Sequence, residues 1–76
     1  MSRARKHSVA IRGHRTSFSV EDAFLDVLNE MAKARSIALA VLIAEIDDER
    51  PRDSNLSSAL RVAALQWVRS QDLNSI

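Results

Sequence analysis

Ser8-Val9-Ala10-Ile11-Arg12-Gly13-His14-Arg15-Thr16-Ser17-Phe18-Ser19-Val20 is the stretch that decides how this chain is built. Its residues are mostly small, hydroxylated or β-branched, and apolar and polar positions alternate, which is the pattern of a half-buried strand. Val9 and Ile11 fall on one phase, Thr16, Phe18 and Val20 on the other, and the phase changes at Gly13-His14, beside the only glycine. A two-residue turn at Gly13 and His14 repairs the mismatch. Ile11 then lies opposite Thr16 and Val9 opposite Phe18, with the apolar residues on one face and Ala10, Arg12, Arg15 and Ser17 on the other. One long strand with a glycine bulge is the competing reading.

Charge is segregated around this stretch. Residues 1–20 carry Arg3, Arg5, Lys6, Arg12 and Arg15 and no acid, a net +5. Residues 21–50 carry eight acids against three bases, a net −5, and the remainder carries three arginines against two aspartates, a net +1. A chain this bipolar can present one positive end to a polyanion while the rest stays solvated. A solubilising basic arm over residues 1–7 is the plainer use of the same charges.

Beyond Val20 the pattern turns helical. Ser19-Val20-Glu21-Asp22 resembles a capping box, and Phe24, Val27, Leu28 and Met31 follow at i, i+3, i+4 and i+7, which predicts a helix over about 20–35. A second helix is expected over 38–49, where Leu39, Leu42, Ile43 and Ile46 form one stripe. Ala40, Val41 and Ala44 make its other side apolar too, so it should be buried nearly all round. Pro51 stops it. Asn55, or Ser54, can cap a third helix over 56–70 with Leu56, Leu60, Ala64 (or Ala63), Trp67 and Val68 on its apolar side. Residues 71–76 are expected to fray. The fold class is thus mainly α with a short N-terminal β ribbon or hairpin, in one domain spanning 8–70 with its strand region at 8–19.

Seventy-six residues make one small core, and there is no cysteine to staple it. The all-round apolar second helix and the open strand edge both ask for a second copy of the chain. The longest apolar run, Ile37–Ala44, is too short to span a bilayer, and no secretory segment is visible, so a cytoplasmic protein without a membrane partner is expected. His7 and His14 lack ligand-spaced neighbours, so neither a metal site nor catalysis is expected. Asp22, Asp26 and Glu30 read as a solvated helix face and Trp67 as a packing anchor.

A basic strand followed by two helices, the second almost wholly apolar, resembles the ribbon-helix-helix family of dimeric bacterial DNA-binding proteins. The strings Lys6-His7-Ser8-Val9, Gly13-His14-Arg15-Thr16-Ser17, Ala44-Glu45-Ile46-Asp47 and Asn55-Leu56-Ser57-Ser58-Ala59-Leu60-Arg61 are similar to a short bacterial subfamily with an added C-terminal helix. The resemblance implies a homodimer in which one strand from each subunit forms a ribbon that enters the major groove of double-stranded DNA. Outward residues Arg15, Ser17 and Ser19 would then contact base edges. Arg3, Arg5, Lys6 and Arg12, with the second-helix N-terminus at Ile37, Ala38 and Leu39, would contact phosphates, although Ser36 and Ala38 replace the family's usual glycine and hydroxyl cap. Phe18, Phe24, Leu28, Leu39, Leu42, Ile43 and Ile46 would form the dimer core. No cofactor is implied.

If residues 8–12 add outer strands to that ribbon, the resulting four-stranded sheet is too wide for simple groove insertion. The outer strands must then peel away or make the DNA contacts themselves. The expected function is a sequence-specific transcriptional regulator. The alternative is a dimeric interaction module, antitoxin-like or an adaptor, without specific DNA readout, and an enzyme is not expected because no nucleophile–base pair is present.

Overall fold

The computed structural model describes residues 3–74. Two strands, β1 (Ala4–Ile11) and β2 (His14–Glu21), precede three helices, α1 (Asp22–Ala34), α2 (Leu39–Glu49) and α3 (Leu56–Asn74). The strands form an antiparallel hairpin paired from Ala4 opposite Glu21 to Ile11 opposite His14. The bulged single strand is therefore not the structure. The turn sits at Arg12-Gly13 rather than Gly13-His14, and both residues have positive φ, 51° and 81°. That is what a two-residue hairpin turn of the primed type requires, with glycine meeting the second position without strain.

Moving the turn back one residue moves every strand partner by two. Val9 faces Thr16 instead of Phe18, Ile11 faces His14 instead of Thr16, and Phe18 faces His7. Because side chains alternate with a period of two, this slip leaves each residue on its expected face. Arg12 alone leaves the outer face for the turn. Pairing also reaches further than the alternation around Ser8 suggested: β1 starts at Ala4, so residues 4–7 of the expected arm are strand. Residues 1 and 2 of that arm lie outside the described residues. β2 continues through Ser19 to Glu21, so the capping box does not form. Glu21 is the N-cap of α1 and makes no side-chain cap hydrogen bond.

The hairpin lies on the helices by one face. Ile11, Phe18 and Val20 are buried with Leu28, Met31 and Ala32 of α1, Leu42 and Ile43 of α2, and Leu56, Leu60 and Ala64 of α3. Val20, Leu28, Ile43 and Leu60 are fully enclosed, each contributing about 1.5–3 kcal/mol by leaving water. Phe18, Leu28, Leu42 and Ile43, expected to await a partner, are thus covered within one chain, whereas Phe24, Leu39 and Ile46 are only half-buried. α2 is sheathed on its Leu42-Ile43 side and leaves Val41 exposed, so a single chain does not bury it all round.

The connections have clear causes. At the end of α1, Ile37 N–H bonds Ala32 C=O at 3.0 Å and Ser36 N–H bonds Lys33 C=O at 3.1 Å, a Schellman closure with Ser36 in the left-handed position at φ 56°. Arg50 is extended before Pro51, as proline demands, and its guanidinium folds back to Asp47 at 2.6 Å. Asn55 Oδ1 accepts the Ser58 N–H at 2.7 Å and caps α3. α3 runs to Asn74 rather than 70, so residues 71–74 of the expected tail are helical and 75–76 lie outside the described residues. Val68, placed on the apolar stripe by its spacing, is exposed; Trp67 packs against the core.

Candidate nucleic-acid interface

Alternation and the ladder register together place six side chains on the hairpin's solvent face: Lys6, Ser8 and Ala10 from β1, and Arg15, Ser17 and Ser19 from β2. They pair across the strands as Lys6 with Ser19, Ser8 with Ser17 and Ala10 with Arg15. All are exposed except Ser19, which is half-buried. The face is shallow in its middle, where two serines oppose each other, and carries a cation toward each end. No acid interrupts it between Lys6 and Arg15. Such a surface can approach base edges closely and offers donors at both ends and hydroxyls, which donate or accept, between them.

The expected base-contacting residues Arg15, Ser17 and Ser19 are therefore on one face. The expected phosphate set is not gathered in the same way. Arg3 precedes β1 and is exposed, and Lys6 joins the solvent face. Arg5 belongs to the helix-facing phase and lies 3.6 Å from Asp22 Oδ1 at the start of α1. Arg12 leaves the turn to hydrogen-bond Asp48 on α2. This bond first, and the attraction of the two charges second, raise the Arg12 pKa and lower that of Asp48. Two of the four cations are thus partnered within the chain. At the α2 N-terminus, the Ile37 N–H is committed to Ala32, so it cannot also donate to a phosphate. Ala38, the N-cap, supplies no side-chain bond, and Leu39 begins the helix.

A contact that the sequence reading missed joins α3 to β2. Ser19 N–H donates to Ser57 Oγ at 2.9 Å, and the Arg61 guanidinium makes a long bond to Ser19 C=O at 3.5 Å. Arg61 Nε also lies 3.0 Å from Glu21 Oε1. That hydrogen bond, followed by one from the Glu21 backbone, lowers the Glu21 pKa. In an antiparallel strand, successive residues send their backbone groups to opposite edges. The Ser19 bonds to α3 therefore mark Arg15, Ser17 and Ser19 as the residues whose N–H and C=O point away from β1, and α3 occupies this edge at Ser19. Neither Ser57 nor Arg61 carried a sequence signal for this role, because their partner lies some forty residues away.

Lys6 and Ser8 were also missed as members of the face. The signal was present in the alternation of Arg5, His7, Val9 and Ile11 against Lys6, Ser8 and Ala10, had the strand been started at Ala4. His7 sits on the core side, its ring 5.4 Å from that of Phe18, with Nε2 buried and without a hydrogen-bond partner. Among the described residues, no three His, Asp or Glu side chains gather as a metal site, and no helix is long and apolar enough to cross a membrane.

Comparison with curated proteins and with solved structures returns no match. A family model described as a ribbon-helix-helix domain matches residues 4–68, from the first residue of β1 to about two-thirds of the way along α3. Strand pairing, helix order and family match agree, and the chain belongs to the ribbon-helix-helix domain family.

Proposed function

We propose that this protein is a sequence-specific DNA-binding regulator of transcription that acts as a homodimer and offers the solvent face of its hairpin to the major groove. Ribbon-helix-helix domains generally bind DNA as dimers, and their family suggests a DNA-binding regulator or an antitoxin-like protein. The observation that carries the reading is the solvent face itself: exposed, polar, positive and free of acids between Lys6 and Arg15, on a ribbon held rigid by a packed core. Arg15 can bond a guanine through two donors, Ser17 and Ser19 can bond several base edges, and Arg3 supplies charge beside the ribbon. The exposed Val41 leaves apolar surface for the second copy.

A second reading has its own support. Val62, Leu65 and Val68 are 52%, 54% and 43% exposed on α3, a surface that suits a protein partner, as in an antitoxin-like adaptor. Selection of bound fragments from random-sequence double-stranded DNA separates the two. Enrichment of a common motif, with affinity falling steeply as salt rises, supports the regulator. Recovery of no motif, with equal retention of every sequence, removes specific readout and leaves the interaction module.

A further inference from the structure

Resting on the DNA-binding reading above, we infer that the hairpin tip carries a built-in brake on DNA binding: Asp48 of α2 holds Arg12 away from DNA phosphates and competes with them for the same guanidinium.

Arg12 stands where its backbone is disfavoured. As the first residue of the turn it has φ of 51°, a left-handed value that glycine, asparagine and aspartate meet best and that other side chains rarely adopt. Closing the hairpin does not ask for arginine, because the turn needs only a residue that tolerates this φ, followed by Gly13 at 81°. A strained position occupied by a long cation points to a use for the side chain rather than for the backbone.

The fold gives that side chain a partner which the local sequence lacks. From Arg3 to Val20 there is no acid, so the tip on its own would present an unopposed cation. The helix packing changes this. Asp48, in the last turn of α2, accepts a hydrogen bond from Arg12 across 36 positions of sequence, and Asp47 beside it adds a weaker attraction. A carboxylate at the C-terminal end of a helix is opposed by the helix dipole, so Asp48 has its own reason to keep a cation close.

The pair is built to exchange. The Arg12 and Asp48 side chains are 66% and 46% exposed, so it opens by side-chain rotation without giving up any core contact. Carboxylate and phosphate both accept the paired donors of a guanidinium, and the fork that grips one is withheld from the other. The pair uses only the β1–β2 turn and the end of α2, so it is present in each copy of the chain and involves neither outer strand edge. A phosphate contact strengthens binding to every sequence alike. Withholding Arg12 therefore lowers affinity for DNA in general and leaves the base preference of the hairpin's solvent face as it is.

The test is a double-mutant cycle on Arg12 and Asp48, with affinity for a selected double-stranded DNA and for a scrambled one measured over a range of salt. Circular dichroism and the unfolding midpoint check that each variant folds. Asp48→Ala should bind both DNAs several-fold more tightly, with an unchanged ratio between them. Its plot of log K against log salt should steepen by about 0.9 for each copy of the chain, the value of one added phosphate contact. Asp48→Asn, which keeps the shape of the side chain and removes its charge, should move in the same direction by less. In the Arg12→Ala background, Asp48→Ala should no longer steepen the slope.

The inference is overturned if Asp48→Ala folds and leaves the slope unchanged, because the freed Arg12 then reaches no phosphate. It is equally overturned if the slope steepens as much in the Arg12→Ala background, since Asp48 then acts by its own charge alone. Weaker binding by a folded Asp48→Ala overturns it as well, and makes the pair a support for the tip instead of a brake. Failure of the DNA-binding reading looks different: the wild-type chain and every variant then retain neither DNA even at low salt, and the inference falls with that reading.

Discussion

Along the hairpin, the positions facing the helices are His7, Val9 and Ile11 against Thr16, Phe18 and Val20, whereas their immediate neighbours facing solvent are Lys6, Ser8 and Ala10 against Arg15, Ser17 and Ser19. One set includes three of the eleven buried core side chains; the other is almost wholly exposed. The strands, ladder and register are shared, so backbone geometry does not distinguish the faces. What differs is water. A face sealed on a packed core is constrained by volume, and its changes act through folding, while an exposed face contributes little to stability and its side chains are available to a ligand.

The largest effect that could break this division is Phe18→Ala. Removing a ring that is 4% exposed should cost about 3–5 kcal/mol in thermal or denaturant unfolding, and DNA binding should fall only in proportion to the folded fraction. A variant that remains as stable as wild type yet loses base preference would mean that the two faces are exchanged. Next in size is Arg15→Ala on the opposite face. It should leave the unfolding midpoint nearly unchanged while, on the proposed DNA-reading function, costing about 1–3 kcal/mol at any base pair Arg15 contacts, read as a specific-to-scrambled affinity ratio. Loss of stability of similar size would place Arg15 in the fold rather than at the interface.

The turn sets which residues stand opposite each other across the hairpin, so Gly13→Ala sharpens the comparison. Nothing lies within 4 Å of the added methyl, but φ of 81° strains any side chain there. The expected cost is about 1 kcal/mol from the backbone alone, with base preference unchanged. A changed preference would show that the strand register had slipped. The smallest effect concerns the rims of the hairpin, where Arg12–Asp48 and Arg61–Glu21 tie it to α2 and α3. Both carboxyls are held below their ordinary pKa by a hydrogen bond from arginine, so their contribution is present above the ordinary carboxylate range. It is lost as pH falls through the lowered values. Both pairs are partly exposed, so the loss should be slight. Asp48→Asn with Glu21→Gln should flatten the acid limb of a stability-versus-pH curve, and an unchanged limb would remove the pairs from the stability of the hairpin.

Local pattern was enough for several elements. Asn55 three residues before Ser58, with Leu56, Leu60 and Ala64 following, announced a capped helix and its buried stripe because both signals are contained within a few turns. Ser36 was harder. A serine in the left-handed position after a helix is unusual, and only the closed bonds from Ser36 and Ile37 back to α1 show how the turn is made. Those bonds also withdraw Ile37 from the expected phosphate set. The capping box failed for a comparable reason: Ser19 has the right chemistry for a cap, but pairing with Lys6 keeps it extended and α3 takes its N–H.

The sequence by itself determined the hairpin's two faces, the three helices and the positive charge of the N-terminal region. These follow from periods of two and about 3.6, from capping residues and from counts of side chains, all of which are local. Tertiary structure decided the exact partner of each strand residue, the extension of β1 to Ala4, the capture of Arg12 by Asp48 and the closure of β2 by Ser57 and Arg61. A two-residue shift in pairing leaves every side chain on the same face, so the hydrophobic pattern cannot resolve it. The contacts of Arg12 and Ser19 join residues 36 to 42 positions apart, and whether such groups meet depends on how the helices pack around the shared core rather than on any spacing along the chain.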